Sequence, residues 1–573
     1  MRRAGRLSLA MACVVTLAAC SGVPTSGDVV KVSPASRARV ERGVQVHPVA
    51  PQPGASPDVV LAGFLDAMAS LEPGFEVARQ YLTPQAASRW DPQAGVTVFD
   101  GDTRSSLPGS TAAGLQARVV GTLDEGGHYT PARGRMLRQS FTMEQVDGQW
   151  RINNPPAGLL VSQYTLLHRF TPTTVWFFAR GSQTLVPERV WLARNPASPA
   201  DVVQALLRGP SGWLAPTVAS ALPVGTKLGM PAVAVDDGVA EVPLERAVAN
   251  LPEPERSRAL TQIAWTLQPF AEIRRIRVVV DGQPWGSEVN LDQLPGGSGL
   301  PAASQEDPLA VIGQAVGRLD MDGVFTPLSG VLGTGAGIGR PGRIAAASQP
   351  EPGVVAVVNR EGNRLVTAVP GQAKARTRLS APGLGRPVMT ATGELWVATG
   401  GDGARAIHRA TRDGAAASVH IPELAGGTVR NFAVSPDQTR LALVLERQGR
   451  TELGLMRIHE QTIDGYRRLP LQVSQLELAQ VVDVGWTGQE ELMVLAAQHV
   501  GARASGYLVS IDGAQVDPVG PVGDSELVEL MTRPQAQTAV ALLRTAEGDV
   551  LRYDSPWRWR GLPRRVAALT MGS

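Results

Sequence analysis

Chemistry needs particular side chains at particular spacings, and this 573-residue chain offers few of them. Its seven histidines stand at 47, 128, 168, 408, 420, 459 and 499. None pairs at metal-ligand spacing and H-E-x-x-H is absent, so no metal site is expected. A nucleophile needs a neighbouring base. No G-x-S-x-G elbow occurs, and no serine is singled out by its neighbours. Gly337-Ile338-Gly339-Arg340-Pro341-Gly342 spells G-x-G-x-x-G. A phosphate cradle of that form requires a strand before it and a helix after it. Here Pro341 interrupts the motif at the opening of a β-rich region. Asp236-Asp237-Gly238, Asp281-Gly282 and Asp322-Gly323 offer carboxylates, but the oxygen-ligand series of an EF-hand is missing, and they read as turns.

One basic aromatic cluster stands out: Trp557-Arg558-Trp559-Arg560, followed by Arg564 and Arg565. Arginines interleaved with rings can hold phosphate headgroups or nucleic acid. On a strand, however, the two Trp face one way and the two Arg the other. The cluster therefore reads as a half-buried final strand with a solvated face, and as a candidate interaction surface for an acidic partner. No catalytic residue and no cofactor is expected, and the chain is read as a non-enzyme.

One covalent site is marked. Arg2, Arg3 and Arg6 form a positive start, and Leu7–Ala19 is an apolar run of 13 residues. That is too short to cross ~30 Å of hydrocarbon at ~1.5 Å per residue, so it reads as a signal-peptide core. It ends in Leu17-Ala18-Ala19-Cys20, which resembles the bacterial lipobox. Cleavage before Cys20 and acylation of its thiol, with chains such as palmitate, would leave Cys20 the only cysteine of the mature chain. Cys13 would leave with the signal. The alternative is an ordinary signal peptide with an incidental Cys. Two or more acyl chains suffice for stable anchoring.

Composition bounds the rest. Hydrophobic residues are 43% and charged residues 18%, which suits packed cores. Gly 62 and Pro 44 call for many turns, not a low-complexity polymer. Lys+Arg 54 against Asp+Glu 52 gives +2, so there is no general case for nucleic-acid binding. No other apolar run is long enough to span a membrane.

Residues 20–55, rich in Pro, Ser, Gly and Val, read as a lipidated Cys and extended tether. Lys31, Arg37, Arg39 and Arg42 lie in it, as a solvated stretch or as contacts to anionic lipid. Residues 56–165 read as an α+β domain. Ser56-Pro57-Asp58 starts a helix with Val60, Phe64, Ala67, Met68 and Leu71 at helical spacing. Strand signals follow at 114–123, 135–145 and 149–153, with Asp147-Gly148 as a type I′ turn. This order is similar to NTF2-like domains. Tyr81, Trp90 and Trp150 would be core, or would line the pocket of such a cone.

Residues 166–290 alternate strands and helices. Ser198-Pro199-Ala200-Asp201 is a helix start of capping-box type, and Val202, Val203, Leu206 and Leu207 make its stripe. The series "ALLRGPSGW", "SALPVGTKL", "DDGVAEVPL", "LTQIAWTL" and "IRRIRVVVDGQPW" resembles the GerMN domain, an α/β fold. Residues 291–314 read as a linker. From 315 to 573 the chain repeats. Apolar runs start at Val354, Leu395, Leu441, Leu492 and Val540, at spacings of 41, 46, 51 and 48 residues. That is blade-sized, and Val434–Arg440 resembles a blade turn. A β-propeller of five or six blades is expected, with a β-sandwich as the alternative.

Lipobox, tether, NTF2-like domain, GerMN domain and propeller, in that order, resemble the actinobacterial LpqB family of lipoproteins over the whole chain. The resemblance implies a protein held by lipid at the extracytoplasmic face of the cell membrane. It also implies an accessory that modulates a two-component system by binding the extracellular domain of its sensor histidine kinase, of the MtrB type, with effects on envelope and cell-wall homeostasis. The alternative is an envelope glycan- or small-ligand-binding protein or hydrolase that uses the propeller channel.

Overall fold

The computed structural model describes residues 48–572, except 107–110, 133, 194–195, 295–306, 348–352, 401–405, 412–413, 461, 474–475, 522 and 536–538. The signal segment, the lipobox with Cys20 and most of the tether lie outside the described residues. No helix among the described residues is long and apolar enough to cross a membrane. Residues 48–572 form one compact unit.

In the first domain, helix Pro57–Ala69 buries Val60, Leu61, Phe64, Leu65, Ala67 and Met68 against a strongly bent sheet. The sheet order is Gln149–Ile152, Met136–Val146, Ala112–Leu123, Val96–Ser106, Leu159–Ser162. The last pair is parallel and the others antiparallel. Register shifts at Val98/Phe99 and Asp100/Asp102 bend the strands. Asp147 and Gly148 have φ of 50° and 75°, as a type I′ turn requires. Tyr81 and Trp90 are core residues: the Trp90 ring lies 5.5 Å from Phe64, and both side chains are at most 5% exposed. Gly63 is required where it is, because a Cβ there would fall 2.3 Å from the Tyr81 hydroxyl. That hydroxyl donates to Val49 O at 2.7 Å, so the chain is already docked on the domain at Val49. The expected tether therefore gives way to folded structure ahead of residue 55. The domain also runs past 165, since Leu166 and Phe170 are buried in its core.

The second domain pairs Thr171–Ala179 with Leu185–Leu192, and Val239–Leu244 in parallel with Arg275–Val280. Helices Pro199–Arg208 and Glu253–Leu267 pack on these sheets. The capping box forms as expected: Ser198 Oγ accepts from Asp201 N, and the Asp201 carboxylate accepts from Ser198 N. Fully buried Gln262 ties the second helix to its surroundings, donating to Trp176 O at 2.6 Å and accepting from Ala221 N at 2.7 Å.

Among the described residues the propeller shows six blades of four strands. From innermost to outermost strand, blade 2 runs from Pro341–Ala347 to Arg376–Ser380, and blade 3 from Val388–Met389 to Ala417–Val419. Blade 4 runs from Thr428–Val434 to Thr462–Leu469. Blade 5 runs from Gln480–Trp486 to Val516–Gly520, and blade 6 from Leu527–Arg533 to Arg558–Leu562. The five apolar runs in the sequence are the second strands of blades 2 to 6. Blade 1 draws on both ends of the domain: Leu309–Ile312, Ala315–Leu319 and Phe325–Pro327, with Ala568–Thr570 innermost. Two expectations are corrected by this closure. The propeller begins at Leu309 and not at 315, because Leu309 pairs with Thr570. The final strand is Ala568–Thr570 and not the Trp557–Arg560 segment. The glycine motif is followed by strand Pro341–Ala347, not by a helix, so it lacks the geometry of a phosphate cradle.

Candidate functional site

Connections between the first and second, and between the third and fourth, strands of each blade fall on one face of a propeller. The remaining connections fall on the other. The second domain covers the first of these faces at blades 4 and 5. The anchoring turn is Ser435-Pro436-Asp437-Gln438-Thr439-Arg440. Asp437 accepts from the Ser435 hydroxyl at 2.7 Å and from Thr439 N at 2.8 Å. Burial pushes the Asp437 carboxyl up, but Arg440 and the two hydroxyls outweigh it and leave the group below the usual carboxylate range. Arg440 bonds Asp437 at 2.6 Å and donates across the boundary to Pro187 O at 3.0 Å. The turn Ser510-Ile511-Asp512-Gly513 in blade 5 repeats this arrangement, with Ser510 Oγ donating to Asp512 at 2.6 Å. Here the reaching group is the Trp191 indole, which donates to Asp512 at 2.7 Å.

Trp191 touches all three domains. Its backbone N–H donates to Gly127 O at 2.8 Å, and its ring joins the apolar cluster of the first domain together with Ala514 of blade 5. Gly127 has φ of 83°, and a Cβ there would lie 2.6 Å from Trp191 O, so only glycine permits the approach. Beside it His128 meets Asp124 at 3.1 Å and Glu188 of the second domain at 3.6 Å. Burial works against charge on His128, but the Asp124 hydrogen bond and the Glu188 and Asp124 charges raise its pKa above the ordinary value, with Arg208 opposing. Thr174 of the second domain donates to Glu490 of blade 5. Burial raises the Glu490 carboxyl above the usual range, despite that bond and the charges of Arg189 and Arg440. Trp213 completes the boundary: its indole donates to Gly465 O at 2.7 Å, and its ring lies 4.8 Å under Arg467.

The central channel is divided. Arg386, entering blade 3, makes a bidentate pair with Asp483 of blade 5 at 2.7 and 2.8 Å and donates to Leu530 O of blade 6 at 3.0 Å. Burial opposes the charge on Arg386, and the Asp483 and Glu529 carboxylates more than offset it. Glu529 is held in turn by Arg544 at 2.7 Å. On the domain-covered side of this partition lies a cavity of about 150 Å³. On the other side a funnel of about 1280 Å³ opens. Its wall carries Arg343, Arg360, Arg430 and Arg503 among its cations and Glu361, Asp524, Glu526 and Glu547 among its anions.

The basic aromatic cluster is spread over blade 6. Trp557 is the 57% exposed tip of the hairpin before Arg558–Leu562, with φ of 65°. Trp559 is half-buried, 5.1 Å from Tyr553. The Trp557 backbone N–H and the Trp559 indole both donate to Val519 O at 2.9 Å, clamping blade 6 to blade 5. Arg560 pairs with Asp554 at 3.2 Å, and Arg565 with Asp549 at 2.8 Å. Arg558 and Arg564 are exposed. Arg564 and Arg565 follow the far end of the strand, so the six residues do not make one patch. Among the described residues no group of three or more His, Cys, Asp or Glu is placed to hold a metal ion. Neither the Trp191 junction nor the Arg386 partition is legible from local sequence. Each joins residues far apart in the chain, and only the blade 4 turn at Ser435–Arg440 left a local trace.

An α+β domain, an α/β domain and a closing six-bladed propeller define a multidomain β-propeller protein. Residues 50–167 match the model of the lipoprotein LpqB N-terminal domain, 174–285 the sporulation and spore germination model, and 315–568 the lipoprotein LpqB beta-propeller domain. The chain is 31% identical to lipoprotein LpqB of Cutibacterium acnes over 99% of both chains. It is 28% identical to that of Thermobifida fusca over 97% of this chain and 98% of the relative. The chain belongs to the lipoprotein LpqB family of actinobacteria. Among solved structures, TolB from Acinetobacter baumannii is 14% identical, with a TM-score of 0.36 over 54% of this chain and 84% of that one. A chain of the nidogen/laminin complex is 12% identical, with a TM-score of 0.34 over 46% of this chain and 97% of that one.

Proposed function

We propose that this protein is a lipid-anchored accessory of a sensor histidine kinase of the MtrB type. In this reading acylated Cys20 holds the body at the extracytoplasmic face of the cell membrane. The body binds the kinase's extracytoplasmic domain and biases its signalling state, and through it envelope and cell-wall homeostasis. The role is recognition and not catalysis.

The observation that carries the reading is the junction at Trp191. It joins three domains through buried polar contacts, so the propeller is presented as part of one body rather than as a bead on a string. A partner biases a switch only by differential affinity for its states, and a surface of fixed shape can discriminate between them. Confinement by the anchor raises effective concentration, so modest contacts suffice.

Affinity capture from membranes tests the reading, with the native chain compared with Cys20→Ala. The kinase is expected to be enriched with the native chain and depleted with the unanchored one. Capture of no kinase by the native chain would overturn the proposal.

A further inference from the structure

We propose that the propeller funnel binds an extended peptide segment of the kinase's extracytoplasmic domain, one that carries both acidic and basic side chains. The inference rests on the accessory reading and assigns the place of contact within it.

Four observations lead there. The funnel opens on the face opposite the one that the second domain covers, and among the described residues only the propeller lines it. Its volume of about 1280 Å³ exceeds the ~300–1,000 Å³ of ordinary small-molecule sites. Among the described residues no aromatic ring lines it, so these residues offer no flat face on which a base could stack. Glycines at 342, 362, 383, 385, 400 and 501 line it instead, and bare backbone lets another main chain come close.

Charge narrows the class of ligand. The floor is neutral, since Arg386 and Arg544 are matched by Asp483 and Glu529. On the wall, Arg360, Glu526 and Glu547 are exposed, and their charged ends make no ion pair with another described residue. Both signs are therefore on offer at separate places around the mouth. A ligand of one sign would meet like charge somewhere on the wall, which is costly at an interface. A segment with mixed charges satisfies both. The partition beneath is held by a buried bidentate pair, so the floor is preorganised and little ordering remains to be done on binding.

The test is a titration of the immobilised extracytoplasmic domain of the kinase with the full chain in detergent. Wild type is compared with Glu526→Arg/Glu547→Arg, with Arg360→Glu, and with Trp557→Ala/Arg558→Glu on blade 6 as a control. All of these positions are exposed, and circular dichroism and the melting temperature check that each variant folds. The funnel variants are expected to weaken binding about tenfold or more, and the blade 6 control by less than about twofold. Binding by wild type that the funnel variants leave unchanged would overturn this inference and leave the accessory reading standing. No binding by wild type would overturn both.

Discussion

The Trp191 indole donates to Asp512 at 2.7 Å, although 321 residues separate the two. Trp191 is 2% exposed and Asp512 5%. Asp512 also accepts from Ser510 Oγ at 2.6 Å and from Ala514 N at 3.1 Å, so the indole fills the carboxylate's remaining direction. Asp437 in blade 4 is built in the same way, with Arg440 in place of the indole. Two copies of one blade turn thus become two attachment points for the second domain.

Removing one partner of a buried polar pair leaves the other unsatisfied, at about 1–3 kcal/mol. Trp191→Phe keeps the ring in its apolar cluster and deletes only the donor. The expected loss is of that size in denaturant unfolding, together with faster limited proteolysis of the chain. Unchanged stability and cleavage would show that the domains are held by other contacts.

Arg386→Leu is expected to cost more, about 3–5 kcal/mol, because it strands a fully buried Asp483 in the channel. Arg386→Leu with Asp483→Leu is expected to recover much of that loss, since an apolar pair removes the uncompensated charge. A double variant as unstable as the single one would refute this account of the partition.

The junction also sets a pH dependence. His128 has a raised pKa when folded, so its contribution is complete below the unfolded value of ~6.5 and is lost as pH rises through the folded value. Glu490 is raised as well, so its protonated form favours the fold, and that preference is lost as pH rises above the unfolded value of ~4.3. Both lower stability as pH increases. Denaturant midpoints from pH 5 to pH 8.5 are expected to fall, and His128→Gln is expected to flatten the upper part of the curve. A midpoint in the variant that falls as steeply as wild type would exclude His128 as the source.

On blade 6 the two tryptophans separate by role. Trp559→Leu loses a bond to Val519 O and a ring contact with Tyr553, for about 1–3 kcal/mol. Trp557→Ala removes a largely exposed ring and is expected to stay within about 0.5 kcal/mol. Thermal melts of the two variants check the contrast.

Local signals in the sequence carried a good part of the fold. Asp147-Gly148 marked a hairpin, Ser198 and Asp201 marked a helix start, and the five apolar runs marked the second strands of five blades. Blade 1 escaped that periodicity because Ala568–Thr570 must travel from the other end of the domain to complete it. Strands Val96–Ser106 and Leu159–Ser162 were not foreseen either. They pair in parallel across more than fifty residues, and such pairing leaves no turn signal between them. The Trp–Arg segment departs from the expected alternation as well as from its expected place: Trp557 is an exposed hairpin tip ahead of the strand, and only Trp559 is half-buried. Its indole serves as a clamp between blades, and its arginines divide between the two ends of the strand. The funnel is assembled from loops of several blades, each unremarkable alone.

Kinase output measured in proteoliposomes tests the central claim most directly. The sensor kinase is reconstituted with the native acylated chain, with Cys20→Ala, or alone, and its autophosphorylation rate is followed. The account expects the native chain to change the rate by about fivefold or more, the low end of ordinary coupling between sites. Cys20→Ala is expected to need a far higher concentration for the same effect. A rate that is the same with and without the native chain would contradict it.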